Sequence, residues 1–134
     1  MALTPAQDAY LKAHRQGILG TGKRDGSPQL STINYLFDGD HFWISVTSDR
    51  AKWLNAMRQP KVALLVPEGR AQVVVYGTAE GVTDSATRNA MTRRLRAGGP
   101  NAAPDDEAEF DRTLNEQQRV ILKVTPTQVL GEGS

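Results

Sequence analysis

A run of eight consecutive residues carries the groups that hold phosphate in proteins, Ser45-Val46-Thr47-Ser48-Asp49-Arg50-Ala51-Lys52. Phosphate is bound by fixed cations and by hydroxyl or backbone N–H donors. Thr47 and Ser48 carry hydroxyls, Arg50 and Lys52 carry positive charge, and the N–H groups at the start of a helix point toward an anion. The run is therefore a candidate phosphate site; a surface helix with two solvated cations is the alternative.

The position of the two cations favours the phosphate interpretation. Residues 50–58 are predicted to form a short helix that Ser48 or Asp49 caps. Arg50 and Lys52 then fall in its first turn, where positive charge opposes the helix dipole. A requirement other than helix stability would explain them. Two charge-assisted contacts of about 1.5–3 kcal/mol each would anchor a ligand that is otherwise planar and apolar.

Polar side chains on an earlier strand are candidates for the edge of such a planar ligand. A planar heterocycle needs a few well-placed polar partners, and Gln29, Ser31 and Asn34 offer them. Successive side chains alternate across a strand, so Gln29 and Ser31 share one face while Asn34 lies on the other. We expect the first two to contact the ring; an ordinary exposed strand face is the alternative.

Strand patterns and turn signals dominate the rest of the sequence. Alternating side chains and turns such as Asp25-Gly26 predict strands over residues 18–23, 28–37, 41–47, 61–66, 71–80 and 119–125, with a further short one at 129–130. Six strands in hairpin succession can curl and close, which removes exposed sheet edges. The predicted fold is mainly β: a six-stranded antiparallel β-barrel with peripheral helices.

Helices are predicted over residues 4–14, 50–58 and 84–96, with a helical turn or two over 107–117. Thr4 and Gln7 form a capping-box pattern at the first helix, and Pro60 stops the second. In the second helix, Leu54 and Met57 are expected to face the core beside Trp53. In the third, the spacing predicts an inward face of Ala86, Ala90, Met91 and Leu95 and an outward face of Arg88, Arg93, Arg94 and Arg96. The outward face would oppose the acidic run Asp105-Asp106-Glu107-Glu109.

Composition narrows the function classes. The chain has 134 residues, the size of one domain over 1–134, with 39% hydrophobic residues and no cysteine. The missing cysteines exclude thiolate chemistry and fit a reducing compartment. A formal net charge of +1 disfavours nucleic-acid binding. We find no apolar run long enough for a membrane span and no signal peptide, so we expect a cytoplasmic protein.

Three stretches carry a family resemblance: Gly20–Ser31 (GTGKRDGSPQLS), Arg50–Ala63 (RAKWLNAMRQPKVA) and Tyr76–Glu80 (YGTAE). They resemble the opening hairpin, the most characteristic segment and a strand end of the pyridoxamine 5′-phosphate oxidase-like split β-barrel flavoproteins. Within that superfamily the likeness is greatest to the actinobacterial branch that uses the deazaflavin coenzyme F420. It covers about residues 10–130.

The resemblance implies a homodimer with two cofactor sites at the subunit interface, and a cofactor phosphate near the third strand and the short helix after it. On this basis the expected cofactor-binding residues are Gln29, Ser31, Ser45, Val46, Thr47, Arg50, Ala51 and Lys52. The expected activity is hydride transfer from coenzyme F420 to a small conjugated or heterocyclic substrate. FMN as cofactor, or a binding protein without turnover, are the alternatives.

The remaining candidates are weaker. Trp43 and Trp53 are expected to pack in the core or at an interface rather than stack on a ring. Tyr76 could approach the partner's cofactor. His14 and His41 are isolated, and no second ligand has metal spacing, so no metal site is expected. The arginines of the third helix form a solvated face or, alternatively, steer an anionic cofactor tail.

Overall fold

A computed structural model describes residues 3–131 of the chain. Six strands and four helices follow one another in this part. The strands are β1 (Gln16–Gly22), β2 (Pro28–Phe37), β3 (Phe42–Thr47), β4 (Lys61–Glu68), β5 (Ala71–Val82) and β6 (Arg119–Leu130). The helices are α1 (Pro5–Ala13), α2 (Ala51–Arg58), α3 (Ser85–Arg96) and α4 (Glu107–Glu116).

The strands close into an antiparallel barrel in the order β1-β2-β3-β6-β5-β4. This confirms the predicted six-stranded barrel, although closure needs more than hairpins. The pairs β1–β4 and β3–β6 join strands that are not neighbours along the chain. The predicted short strand at residues 129–130 is the end of a continuous β6, whose pairing with β5 shifts register between Tyr76 and Gly77.

One pairing of the barrel is incomplete, and this opens its wall. β2 pairs with β3 only from Tyr35↔Ile44 to Phe37↔Phe42, although β2 begins as early as Pro28. The residues of β2 before Tyr35 do not pair with β3, and the residues of β3 after Ile44 do not pair with β2. Each still pairs on its other side, β2 with β1 and β3 with β6. The facing edges of β2 and β3 therefore diverge from Asn34 and Ser45 onward, which is the split of the barrel.

Alternation along the strands builds the core. On β3 the side chains of Phe42, Ile44 and Val46 are buried while the intervening ones are half-exposed. On β2 the inward set includes Ile33, Tyr35 and Phe37, one of the two faces predicted from the sequence. On β4 the side chains of Val62, Leu64 and Val66 are buried, whereas Ala63 and Leu65 on the other face are half-exposed.

The first helix confirms its predicted cap. Thr4 Oγ1 accepts from Gln7 N at 3.1 Å, and Gln7 Oε1 accepts from Thr4 N at 3.0 Å, so both halves of the capping box are formed. Leu11 is fully buried, and Tyr10 OH donates to the carbonyl oxygen of Val66 at 2.8 Å. The helix thereby closes one end of the barrel.

The second helix differs from its prediction in two ways. Arg50 is the N-cap and no side chain caps the helix, so neither Ser48 nor Asp49 has that role. Leu54 and Met57 are 52% and 42% exposed, so the prediction that they face the core is wrong. Trp53 and Ala56 face the core instead. Both pairs have helical spacing, so the spacing alone does not decide between them. Trp53 packs against the barrel because Gly81, which has no side chain, leaves room for its ring.

The third helix buries Met91 as predicted, but the rest of its buried face differs. Ala86 and Ala90 are exposed, whereas Arg88 is only 4% exposed, contrary to prediction. The reason is α4, a full helix of 10 residues rather than a helical turn or two. Its Asp111 accepts from Arg88 Nη2 at 2.7 Å and from Asn89 Nδ2 at 2.9 Å, which compensates the buried charge. The predicted opposition of arginines and acids is confirmed at Arg93, which pairs with Glu107 at 2.8 Å.

Candidate functional site

A cavity of about 330 Å³ lies against the outer wall of the barrel at the split between β2 and β3. Asn34 and Ser45, the residues at which the two strands separate, both line it. α3 covers it from above with its last turn, and α2 contributes Lys52 from the side. The full lining is Gln16, Thr32, Ile33, Asn34, Ser45, Lys52, Leu95, Arg96, Asn101 and Arg119.

The charged groups of this cavity all have the same sign. Lys52, Arg96 and Arg119 line it, and no Asp or Glu does. None of the ion pairs formed within residues 3–131 involves these three side chains. Burial lowers the pKa of the Lys52 ammonium, and the nearby charges of Arg50 and Arg119 lower it further. Desolvated cations without a counter-ion are costly, so the cavity is suited to an anion.

Two buried polar atoms at the cavity point to the same chemistry. Ser45 Oγ and Arg119 Nε are buried, and neither has a hydrogen-bond partner within residues 3–131. Most buried polar groups in folded proteins are hydrogen-bonded, so an orphaned pair in one place needs a partner from outside the chain, a ligand or a water. A hydroxyl and a guanidinium are donors that a phosphate oxygen accepts from.

The other residues of the predicted phosphate segment lie beside the cavity. Thr47 sits opposite Arg119 in the β3–β6 pairing. Its buried hydroxyl lowers the pKa of the Asp49 carboxyl, yet it reaches no partner with full hydrogen-bond geometry within residues 3–131. Arg50 is exposed at the start of α2. Val46 points into the core, so only its backbone faces the split.

A second, wide groove with apolar walls lies beside the start of β2. It measures about 1090 Å³ and runs between the β1–β2 hairpin and α2. Leu30, Leu54 and Met57 form its apolar walls, and these are among the most exposed large hydrophobic side chains of residues 3–131. Ala51 lines the groove while the next residue, Lys52, lines the cavity, so the first turn of α2 borders both spaces.

A hydrogen-bonded chain fixes the polar side of this groove. Asn55 Nδ2 donates to Gln29 Oε1 at 2.9 Å and to Thr21 Oγ1 at 3.2 Å. Arg58 Nη2 donates to Asn55 Oδ1 at 2.9 Å and to the carbonyl of Gly22 at 3.0 Å. With its oxygen engaged, the Gln29 amide keeps its N–H donors for a ligand. Asn55 thus ties α2 to the first hairpin, which gives the Arg50–Ala63 stretch a structural reason for its asparagine.

The structure brings some predicted residues together and separates others. Ser45 and Lys52 share the cavity, and Gln29 and Ala51 share the groove. Ser31 lines neither space and is paired with Leu19 of β1. Asn34, the less favoured of the three polar β2 residues, lines the cavity together with Thr32.

Two arginines of the cavity were missed as site residues. Arg119 opens β6 and Arg96 ends α3, both far along the chain from the phosphate segment. The only sequence signal was the arginine-rich third helix, for which an anionic ligand was one of two interpretations. Nothing in the sequence alone showed that β6 would pair with β3 and bring Arg119 to Thr47.

Comparison with known proteins identifies the family of this fold and site. The sequence model of the pyridoxamine 5′-phosphate oxidase family matches residues 3–131. The chain belongs to that family.

Solved structures of similar proteins support the family fold. A conserved hypothetical protein from Mycobacterium tuberculosis superposes with a TM-score of 0.82 at 21% identity, covering 98% of this chain and 86% of that one. An F420 reductase superposes with a TM-score of 0.75 at 27% identity, covering 96% and 98%. The heme storage protein HutZ from Vibrio cholerae shares the fold with a TM-score of 0.72 at 15% identity, covering 98% and 96%.

The residues of this pyridoxamine 5′-phosphate oxidase family member fit a phosphorylated flavin-type cofactor. The cavity offers unpaired cations and orphaned donors, as a phosphate requires. The groove beside it offers apolar walls and one fixed amide, as a planar ring requires. Within residues 3–131, no helix combines the length and the apolar character needed to span a membrane.

The remaining aromatic candidates of this family member lie away from the cavity. Trp53 is buried against the core, as expected. Trp43 lies on the outer face of β3, where its Nε1 donates to Asp38 at 2.8 Å and Lys123 Nζ lies 5.2 Å from the ring centroid. Tyr76 is 42% exposed and lines an apolar depression that shares Pro28 and Leu30 with the groove.

Proposed function

We propose that this protein is an oxidoreductase that binds coenzyme F420 and transfers hydride to a small conjugated or heterocyclic substrate. The observation that carries the proposal is the cationic cavity with two orphaned donors, together with an apolar groove that the first turn of α2 also borders. The similarity of the chain to an F420 reductase adds support for the deazaflavin.

In this proposal, side chains bind the phosphate of the cofactor and backbone groups contact its ring. Lys52 and Arg50 provide the cations for the phosphate, and Ser45 and Thr47 provide hydroxyls. The backbone of Ser45 to Thr47 borders the split, where β2 gives it no partner, and its polar groups can face the ring. When bound, the cofactor supplies the hydride chemistry itself, and the protein supplies binding, orientation and exclusion of water.

The proposal includes a homodimer with the cofactor at the interface, and the exposed apolar surface supports it. Leu30 is 69% exposed, and Leu54, Met57 and Tyr76 are each more than two-fifths exposed. Exposed apolar side chains that adjoin a binding groove are typical of a surface covered by a partner. A second copy of the chain would cover them and close the groove, and Tyr76 would lie near the partner's cofactor.

Two other functions share the same site. FMN carries a phosphate and a planar ring and would use the same contacts. A binding protein without turnover is favoured by a specific observation: among residues 3–131, no carboxyl, imidazole or phenol group lines the cavity or the groove to donate a proton.

Replacing Lys52 tests the cofactor site. Lys52→Ala should weaken binding of coenzyme F420 by about 1.5–3 kcal/mol, because one charge-assisted contact is lost. Quenching of the deazaflavin fluorescence measures the dissociation constant. Arg70→Ala, in the exposed turn between β4 and β5, is the control and should bind like the wild type. An unchanged dissociation constant in a folded Lys52→Ala protein would falsify the phosphate site.

The colour of the purified protein and its turnover distinguish the three functions. A yellow protein that retains FMN favours the flavin, and a colourless one that quenches added deazaflavin favours coenzyme F420. Steady-state reduction of a panel of quinones, enones and tetrapyrroles then separates an enzyme from a binding protein. Tight cofactor binding with no turnover across the panel would favour the binding protein.

A further inference from the structure

We propose that Arg119 and Arg96 join Lys52 in a row of three cations that holds two negative charges of one ligand. The inference rests on the proposed function and extends it, since it states what charge the bound end of the ligand must carry. A site of this kind selects a doubly charged end over a singly charged one.

Arg119 is the member of the row whose charge acts on both of the others. Burial lowers the pKa of Lys52 most, and the charges of Arg50 and Arg119 lower it further. Burial also lowers the pKa of Arg96, and the charge of Arg119 adds to that effect. Arg119 is held in place by the β3–β6 pairing, and the adjacent backbone bond from Ser48 N to Gln118 O measures 2.9 Å. The row therefore draws its members from α2, β6 and α3.

Charge compensation elsewhere on α3 shows how unusual Arg96 is. Arg88 pairs with Asp111 at 2.7 Å, and Arg93 pairs with Glu107 at 2.8 Å, both acids coming from α4. Arg96 lies on the same helix but has no acid within salt-bridge distance in the described part of the chain, and its nearest polar contact is Gln117 Oε1 at 3.5 Å. α4 thus neutralises Arg88 and Arg93, and Arg94 is exposed to solvent, whereas Arg96 lines the cavity without an acid partner among residues 3–131.

The number of uncompensated cations sets the charge of the ligand. A single negative charge would leave two of the three desolvated cations without a partner in a partly enclosed space. Two negative charges, either on one terminal phosphate or on a phosphate and a neighbouring carboxylate, balance most of the row. The planar guanidinium of Arg119, whose Nε is orphaned, can bind two oxygens at once.

Small phosphate esters test the selection without any coenzyme. At about pH 8, methyl phosphate carries two charges, because its second pKa is about 6, while dimethyl phosphate carries one. We expect the full chain to bind methyl phosphate at least about tenfold more tightly than dimethyl phosphate, as measured by calorimetric titration. Arg119→Gln should reduce that preference to less than about threefold, and Arg119→Lys should retain part of it, because charge remains without the planar fork.

Further variants and ligands complete the test. Arg96→Gln should also reduce the preference, whereas Arg94→Gln, on the exposed face of the same helix, should leave it unchanged. Titration of the Arg119→Gln protein with FMN and with coenzyme F420 identifies the source of the two charges. Loss of FMN affinity indicates a terminal phosphate, and loss of F420 affinity indicates a phosphodiester with a carboxylate.

The inference and the proposed function fail differently. Equal binding of the two esters by the wild-type protein would overturn the selection and leave the phosphate site in place. An unaltered preference in folded Arg119→Gln and Arg96→Gln proteins would overturn the roles of the arginines. Absence of binding of both esters and of both coenzymes would overturn the proposed function as well.

Discussion

His14 joins the end of α1 to the end of β4 through both nitrogens of its ring. Nδ1 lies 2.6 Å from the carbonyl oxygen of Tyr10, and Nε2 lies 2.5 Å from a carboxylate oxygen of Glu68. Both neighbours are acceptors, so the ring satisfies both contacts only when each nitrogen carries a proton. The Tyr10 carbonyl, followed by Glu68, raises the pKa of His14 despite partial burial.

This arrangement predicts a pH-dependent contribution to stability. Because the folded-state pKa lies above the unfolded value of about 6.5, the contribution is complete below that value and is lost as the pH rises through the folded pKa. His14→Gln should therefore lower the free energy of unfolding by up to about 1 kcal/mol at about pH 5.5, and by less at about pH 8.5. Urea denaturation at the two pH values measures the difference.

Glu68→Gln is the matched control for His14. It removes the charged acceptor, whose side chain is 70% exposed, and leaves the contact to the Tyr10 carbonyl, so the pH effect should shrink without disappearing. A stability difference between wild type and His14→Gln that stays constant over this pH range would contradict the interpretation.

Individual residues of the site were predictable to the extent that they lie in one stretch of sequence. Ser45 and Lys52 lie in the same short segment. The positive charges of Arg50 and Lys52, which oppose the helix dipole, indicated this segment as a site. Arg119 and Arg96 reach the cavity only through strand pairing and helix packing, which local spacing does not encode. The face of β2 carrying Gln29 and Ser31 was expected at the ring, whereas Thr32 and Asn34 of the other face line the cavity. Both faces mix polar and apolar side chains, so the pattern of residues does not decide between them.

Among the elements, α2 depends on one glycine of β5. An added Cβ at Gly81 would lie 2.6 Å from Trp53 Cη2 and 2.9 Å from Met57 Sδ, closer than atoms can pack. Gly81 therefore allows the helix to lie against the barrel with the Trp53 ring beneath it. The position of α2 determines the position of Lys52, so the glycine supports the cavity from a distance.

Gly81→Ala should displace this helix. Overpacking of this kind costs about 1–3 kcal/mol, and we expect a corresponding loss of stability together with weaker binding of the coenzyme. Thermal denaturation and fluorescence titration measure the two effects. Gly22→Ala is the control, because its Cβ would meet Gln59 Cγ at an ordinary 3.5 Å. A Gly81→Ala protein with wild-type stability and affinity would show that α2 is not held there.

The turn between α4 and β6 contains a residue in an unfavourable conformation. Gln118 has φ 57°, and it is the only non-glycine residue with positive φ in the part of the chain the structure describes. It directs the chain from the end of α4 into the strand that begins with Arg119. Left-handed backbone costs a non-glycine residue about 1 kcal/mol or more.

Gln118→Gly should raise the free energy of unfolding by up to about 1 kcal/mol, because glycine adopts this conformation without strain and its extra unfolded-state freedom cancels only part of the gain. Glu116→Gly, two residues earlier at the last position of α4, should lower it by up to about 1 kcal/mol. Chemical denaturation of the two variants compares them directly. If both changes destabilise the protein equally, the backbone strain at Gln118 is not the controlling factor.

Most elements were predictable because their signals are local. The capping box of α1, the Asp25-Gly26 turn and the alternation of β3 are all visible within a few residues. Which faces of α2 and α3 are buried was not predictable. α2 has two apolar pairs with helical spacing, and α3 buries an arginine. The partner surface decides between them: Gly81 admits Trp53, and Asp111 of α4 accepts Arg88.

For the molecule as a whole, the cations of the cavity are a local concentration within a nearly neutral chain. The formal net charge is only +1, yet Lys52, Arg96 and Arg119 converge on one space. Their mutual repulsion opposes folding, and an anion bound among them relieves it. Binding to the folded state alone stabilises a protein by about 2.7 kcal/mol at a ligand concentration of 100 times the dissociation constant.

Inorganic phosphate should therefore raise the melting temperature more than chloride at equal ionic strength. In Lys52→Ala the difference between the two salts should shrink, because one phosphate contact is missing, while in Arg70→Ala it should persist. Scanning calorimetry in matched buffers measures it. Equal melting temperatures in the two salts for the wild-type protein would indicate that the cavity does not take up phosphate.

The split in the barrel has a consequence for how binding competence arises during folding. The hairpins can form early from nearby residues, but Ser45 and Arg119 come together only when β6 reaches β3 across most of the sequence. Such distant pairings form slowly, because the chain loses conformational entropy before the stabilising contacts between the strands are made. A newly synthesised chain would accordingly have no coenzyme site until β6 closes the barrel. The coenzyme would then stabilise a barrel that has already formed, rather than direct its formation.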